Sequence, residues 1–450
     1  MTEQGNLLSA RLAMLKHLIN PLWAMLEYGW YPLLLFATTP WFLHRLGTQQ
    51  YGHWMLLSAT VNFGGVLNVG TGSATIKSIS ANIGRSTNSL VELTVRRSLA
   101  LALFGGGMLA LLVFLVFWFG GTAFLGRMGS LSVVRITGLA AALLLWVEQI
   151  DNVFSSALKG AEHFGQAARI EIGSKSAQII AAAVALIPSP NINGLYAALI
   201  LVALFRLSAK AVITKRQLNL DNLRPTLSGA SEILQFAKWG WLQGIGGTLF
   251  SVADRMLVGS LLGASSVAYY SIASQLTMQI HAASAAGLSV IFPKVSRRLE
   301  SNAHLSLQRI ALLAMGANFI MSSILAAGLV IFGPLLLQAW IGKGPAAYVV
   351  TILPWLTAAY WLLAINVVPY YLLLGMGRMR FVGITVLVAG IAAVISMYYS
   401  TIHMGLIGTP MGRSVYAIVS LALVIPLMQY LLAHQPTRLP TSSNSSGSHS

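Results

Sequence analysis

Apolar runs of about twenty residues recur along this chain at short intervals, each long enough to cross the hydrocarbon core of a bilayer as a helix. Lipid offers a backbone no hydrogen-bond partners, so such runs fold as helices whose amides are satisfied within the segment. The composition agrees. Of 450 residues, 56% are hydrophobic and 9% charged, and the mean hydropathy is +0.73, from which no water-facing surface of this size can be built. The chain is predicted to be an all-α polytopic membrane protein. Twelve spans are expected, near 21–43, 54–78, 98–120, 133–158, 168–187, 194–213, 236–262, 267–292, 310–340, 346–374, 381–399 and 406–433.

Other classes are excluded early. Cysteine is absent, which removes disulfides and Cys-ligated zinc or iron–sulfur sites. The net charge of +17 could indicate nucleic acid, but the basic residues are scattered between apolar spans, as membrane topology requires. Residues 1–20 contain Glu3, Arg11 and Lys16 and lack a small-residue cleavage site, so they do not read as a cleaved signal peptide. Leu8, Leu12, Leu15 and Ile19 recur at helical spacing, predicting an amphipathic segment along the cytoplasmic surface. The expected organisation is that segment, a first six-span unit over 21–214, a charged cytoplasmic linker over 215–232, a second six-span unit over 233–433 and a disordered tail over 434–450.

The loops carry an orientation signal. Placing both termini in the cytoplasm puts 21 basic residues inside and 5 outside (Arg45, Arg127, Arg135, Lys343 and Arg413), with Lys175 and Arg255 within spans. That bias fits the positive-inside rule for an even number of crossings, and the expected location of this multi-pass helical chain is the cytoplasmic (inner) membrane.

The second half echoes the first. Within 238–270, Leu262-Gly263 is followed by a polar turn and an apolar run beginning Tyr269-Tyr270, and Leu46-Gly47 stands 216 residues earlier in a similar setting. Val153–Gly160 (VFSSALKG) likewise lies 215 residues before Val368–Gly375 (VPYYLLLG). Two matches at nearly one spacing point to an internal duplication, a common way of building transporters.

These features together resemble a known group. ADRMLVGSLLG from Ala253 followed by YYSIASQL from Tyr269, and YGHWMLLSA from Tyr51 with NVGTGSATIKSIS from Asn68, are similar to the polysaccharide-transport (Wzx-type O-antigen and exopolysaccharide flippase) branch of the multidrug/oligosaccharidyl-lipid/polysaccharide flippase superfamily. The resemblance extends to about Ala433 and rests on loose patterns. It implies two six-helix bundles around a V-shaped central cavity that opens alternately to each side. It implies translocation of undecaprenyl-diphosphate-linked oligosaccharide to the outer leaflet, with lipid-linked oligosaccharide and membrane lipids as partners. A polysaccharide polymerase and glycosyltransferases are further candidate partners; nucleic acid is not. No cofactor is implied, and coupling to a proton or sodium gradient stays open.

Several charged residues fall inside spans, where they are expensive and mark interior pathways or pairs. Asp254 and Arg255 lie roughly 10–12 Å inside the seventh span at 1.5 Å per residue. Neighbours on a helix diverge by about 100°, so each needs a partner on another helix or in a cavity. Arg255 is the leading candidate for the carrier's diphosphate, since guanidinium binds phosphate bidentately; the alternative is a structural salt bridge. Lys175, Lys77 and Lys159 are further substrate-binding candidates. Lys175 could instead pair with Glu171 one turn away, and Lys77 and Lys159 could snorkel to the interface. Glu148 and Asp151 share a face of the fourth span, so either one holds a proton or a cation lies beside them. With Asp254 they are the coupling-ion candidates, against pairing with a Lys or Arg of a neighbouring helix. Arg206 and Lys210 share a face at the end of span six, where topology alone could require them. Glu27 reads as interfacial and His281 as hydrogen-bonded. No metal site is expected, and the glycine clusters lack the Gly-Lys-Ser/Thr ending of a phosphate loop.

Three functions compete. The first is the flippase, the second a cation-coupled drug or metabolite antiporter of the same superfamily. The third is a membrane-embedded polyprenyl-dependent glycosyltransferase or polymerase, against which stand short external loops without an acidic metal motif.

Overall fold

The computed structural model describes residues 3–84, 88–120, 127, 129–234, 253–288, 304–376 and 378–433, and among these every regular element is helical. The first part of the seventh predicted span, 236–252, and the predicted tail over 434–450 fall outside the described residues. The first half comprises α1 (Glu3–Phe63), α2 (Gly65–Gly84), α3 (Asn88–Phe119), α4 (Leu131–Gly160), α5 (Phe164–Leu186) and α6 (Ile192–Gln217). The second comprises α7 (253–262), α8 (Ala264–Leu288), α9 (His304–Ile341), α10 (Lys343–Ile365), α11 (Val367–Gly375), α12 (Met379–Met404), α13 (Pro410–Ser420) and α14 (Val424–Ala433).

Among the described residues, seven helices are long and apolar enough to cross a membrane: Asn88–Phe119, Leu131–Gly160, Ile192–Gln217, Ala311–Ile341, Lys343–Leu374, Arg380–Gly408 and Pro410–Gln429. Their outer faces are apolar and bare; Phe205 is 76% and Leu335 67% exposed, which only lipid can cover. The long helices α1, α5 and α8 are more polar. Helix α5 carries Glu171 and Lys175, and α8 carries Ser271, Ser274 and Gln275, on faces turned to other helices, while Arg169 and Gln279 are exposed. Helix α5 packs between α1 and α6, and α8 between α1 and α10.

The duplicated positions share local structure. Gly47 (φ 73°) and Gly263 (φ 89°) both sit in the left-handed region, where a side chain would be strained, and each starts a new helix. Helices α4 and α11 both end at the second matched pair, Gly160 and Gly375.

Three predicted spans are interrupted. The run 54–78 breaks at Gly64, whose carbonyl leaves the helical ladder and accepts from Gln149 Nε2 at 2.9 Å. The run 346–374 breaks at Asn366 between α10 and α11, where Asn318 Nδ2 donates to Ala364 O at 2.7 Å and Asn366 Nδ2 to Ala417 O at 3.2 Å. The last run, 406–433, is divided by a tight turn at Leu421–Leu423. A backbone group freed inside a membrane must find a partner, and the donors come from helices distant in sequence. Hydropathy does not register them.

The halves meet where the two left-handed turns face each other. Thr48 Oγ1 lies 3.2 Å from Ser265 Oγ, Phe36 stacks on Trp340 at 4.3 Å, and a Cβ at Gly52 would run into the Ala264 carbonyl. Since the chain lacks cysteine, Thr48→Cys combined with Ser265→Cys should form a disulfide under mild oxidant. Adding Gly52→Val should prop the seam open and reduce the cross-linked fraction severalfold, read by gel mobility. Equal cross-linking with and without the valine would mean that this seam is not closely packed.

Candidate functional site

Charged side chains of the first half collect where α4, α5 and α6 meet. Glu148 and Asp151 stand three residues apart on α4, Glu171 and Lys175 one turn apart on α5, and Arg206 and Lys210 one turn apart on α6, so each pair projects from one face. Lys210 is fully buried. Its ammonium donates to Asp151 Oδ2 at 2.6 Å, Ser155 Oγ at 2.7 Å and Glu171 Oε2 at 2.7 Å, using all three of its donors. The Arg206 guanidinium lies 2.7 Å from Glu148, 3.3 Å from Asp151 and 3.4 Å from Glu171. Lys175 completes the set at 3.7 Å from Glu148 and 3.8 Å from Glu171. Three carboxylates thus face three cations.

The cluster has a sealed base and an open edge. Side-chain exposure is 0% for Lys210, 1% for Arg206 and 4% for Asp151, against 23% for both Lys175 and Glu148. Lys175 and Glu148 line a cavity of about 170 Å³ together with Tyr31, Trp54, Ser58 and Gln178. The Lys175 ammonium also sits 5.1 Å from the centre of the Tyr31 ring, a cation–π distance.

The second half holds a smaller ionic group. Asp254, 1% exposed, takes a 2.6 Å contact from Arg413 Nη2 of α13 and a 3.0 Å hydrogen bond from the Tyr270 hydroxyl of α8. Arg255 turns elsewhere, its Nε donating to Ser271 Oγ at 3.2 Å. Neighbouring positions on α7 therefore serve different partners, as the divergence of adjacent side chains requires. Lys159, in the last turn of α4, reaches Glu27 of α1 at 2.7 Å. Lys77 is exposed on α2, and His281 is half-buried on α8.

These positions correct parts of the sequence reading. Arg206 and Lys210 are not interfacial topology markers but lie inside the bundle, where buried Asp151 and the partly exposed Glu148 and Glu171 pair with them. Arg413 is not an outer-loop residue; it is the counter-ion of Asp254. The inside-to-outside basic bias becomes 19 to 4 without them. Glu27, read as interfacial, is an ion-pair partner. Among the described residues no three His, Cys, Asp or Glu side chains gather as a metal site.

Removing a sealed cation should unpair two acids at once. Lys210→Met is expected to destabilise the protein by about 3–5 kcal/mol, the usual cost of breaking a buried pair from one side. Lys175→Gln, at the open edge, should cost about 1 kcal/mol or less. Thermal unfolding of purified protein in detergent measures both, and equal shifts for the two variants would contradict the sealed-base, open-edge arrangement.

Comparison with known proteins agrees with this architecture. A Shigella flexneri protein provisionally named an O-antigen transporter is 21% identical over 421 residues, covering 90% of this chain and 96% of that protein. An inward-facing multidrug resistance MATE-family transporter of the MOP superfamily superposes with a TM-score of 0.73 at 17% identity, over 91% of this chain and 96% of its own. The lipid II flippase MurJ in an inward closed conformation gives 0.66 at 13% identity, over 94% and 89%. All three are membrane transporters and none is an enzyme. The family model for polysaccharide biosynthesis proteins matches residues 20–298, more than half of the chain, and this all-α polytopic chain, similar in fold to those transporters, therefore belongs to the polysaccharide biosynthesis protein family.

Proposed function

We propose that this protein is a flippase that carries undecaprenyl-diphosphate-linked oligosaccharide, an O-antigen or exopolysaccharide repeat unit, from the cytoplasmic to the outer leaflet of the inner membrane. Two six-helix bundles, 21–214 and 233–433, rock about a central cavity with both termini in the cytoplasm. The observation that carries this reading is the open-edged cluster: a basic side chain, Lys175, held on the wall of a polar cavity inside a membrane protein of this family. The names of the Shigella relative and of the lipid II flippase support the same substrate class.

The electrostatics favour an anion. Glu148, Asp151 and Asp254 all have protein cations against them, so none offers a bare carboxylate to a cationic drug, as an antiporter of that kind would need. Coupling to a proton or sodium ion at these acids would have to break one of those pairs. Replacing Glu148 with Gln and Asp151 with Asn together tests that step: transport that still follows the ion gradient would remove this site from the coupling path.

Arg255 is the proposed diphosphate contact of the second half. Because Asp254 is held by Arg413 and Tyr270, Arg255→Ala should leave the fold and its abundance intact. It should reduce flipping about tenfold or more, the worth of one charged hydrogen bond, whereas Arg255→Lys should keep part of the activity. Surface polysaccharide in cells matched for membrane-inserted protein reports this, and wild-type export by Arg255→Ala would dismiss Arg255 as an anion contact. The topology is checked with a membrane-impermeant thiol reagent on intact cells. A cysteine replacing Ser189 should be labelled and one replacing Ser228 protected, and the reverse pattern would invert the proposed orientation.

A further inference from the structure

Three basic side chains from other helices are arranged along a single face of α1. The guanidinium carbon of Arg169 (α5) lies 5.2 Å from the ring centre of Trp23, Lys159 Nζ (α4) lies 2.7 Å from Glu27 Oε1, and Lys175 Nζ (α5) lies 5.1 Å from the ring centre of Tyr31. Trp23, Glu27 and Tyr31 are spaced i, i+4 and i+8, one above another on the helix, so successive rungs rise by roughly 6 Å. Exposure falls along the series: Arg169 is exposed, and the Lys159 and Lys175 side chains are 27% and 23% exposed. All three differ from the sealed Arg206 and Lys210. The last rung opens on the cavity described above.

We propose that this face of α1 is a three-rung entry track for the diphosphate, with Arg169 as its outermost binding residue and Glu27 as a displaceable counter-ion at the middle rung; the proposal rests on the flippase reading. Arg169 is held over the Trp23 ring face, which leaves its charge open to an incoming anion, and Lys175, over the Tyr31 ring, has only the longer contacts to Glu148 and Glu171 at 3.7 and 3.8 Å. The Glu27 rung differs. Its carboxylate already neutralises Lys159, so a weakly charged anion gains little by replacing it. A diphosphate carries more charge and can touch two rungs at once, so it displaces Glu27 where a monophosphate does not. Glu27 thereby sets selectivity for diphosphate over monophosphate, a role separate from stability, since partly exposed ion pairs stabilise folds weakly.

The test is a titration of purified full-length protein in nanodiscs with farnesyl diphosphate and farnesyl monophosphate, followed by calorimetry. The wild type should prefer the diphosphate. Glu27→Gln should tighten the monophosphate about tenfold and the diphosphate less, narrowing the preference, because Lys159 is then free to bind either. Arg169→Gln and Lys159→Gln should each weaken the diphosphate by about tenfold, the equivalent of one charged hydrogen bond. If Lys159→Gln does not fold, Glu27→Gln and Arg169→Gln decide. An unchanged preference in Glu27→Gln together with unchanged affinity in Arg169→Gln would overturn the track while leaving the flippase reading in place. A wild type that binds neither lipid phosphate would overturn that reading and the track with it.

Discussion

A charge placed inside a bilayer has to be answered by the protein itself, and Lys210 shows how strongly that requirement shapes this fold. An ammonium with no solvent exposure, held by Asp151, Ser155 and Glu171, fixes the relative rotation of α4, α5 and α6. None of these helices can turn about its axis without stranding an ion, at a cost of several kcal/mol. The Asp254–Arg413 pair does the same for α7 and α13. Between the halves the bonding is of another kind. Among the described residues no salt bridge joins 3–234 to 253–433; the seam is a pair of hydroxyls, a glycine against a carbonyl, stacked rings and the Arg127 guanidinium donating to the Leu261 carbonyl at 2.6 Å. The ion pairs thus lie inside each half, and the contacts between the halves pair no acid with a base, an arrangement that suits the rocking of the proposed flippase.

The interrupted helices follow from the same requirement. A break in a membrane helix is stable only where another chain segment accepts or donates in place of the lost ladder bond. Gln149 donates to the carbonyl of Gly64, Asn318 to that of Ala364 beside the break at Asn366, and Asn366 in turn to that of Ala417 ahead of the turn at Leu421–Leu423. Gln149 lies on α4 between Glu148 and Asp151, so the break in the second predicted span is tied to the helix that carries the charge cluster. Glu148 faces the cavity from one side of that helix while Gln149 holds α1 to α2 from another.

How much of this was legible in the sequence depends on the range of each interaction. The helical apolar runs, the matching turns after Leu46-Gly47 and Leu262-Gly263, the shared face of Glu148 and Asp151, and the Glu171–Lys175 pair were readable, because each is local or periodic. Arg206 and Lys210 were misplaced because a basic pair following an apolar run looks the same whether it snorkels to the interface or turns inward. Only the acids on α4 and α5, 35 to 59 residues away along the chain, distinguish the cases. Arg413 was misplaced for a similar reason, its partner lying 159 residues earlier. Unpaired acids within spans were the available signal: three carboxylates at membrane depth demand three cations, and with Lys175 alone available locally, two more had to come from elsewhere.

The two halves share turns and helix ends but not charge. The first half carries three acids and three bases in one knot, with Lys159 and Glu27 besides; the second carries Asp254, Arg413 and Arg255, the last bonded to Ser271 on the α8 face that also holds Ser274, Gln275 and Gln279. Backbone symmetry is enough for a rocking motion, since it requires only matched hinges and comparable bundles. Chemical asymmetry is what a substrate with unlike ends requires. For a molecule that joins a diphosphate to a glycan, a cavity with equal charge on both walls would hold the phosphates equally well in two orientations. In the proposed flippase the cavity wall that bears Lys175 belongs to the first half, so the phosphates of such a substrate would be drawn to that side and one orientation favoured over the other.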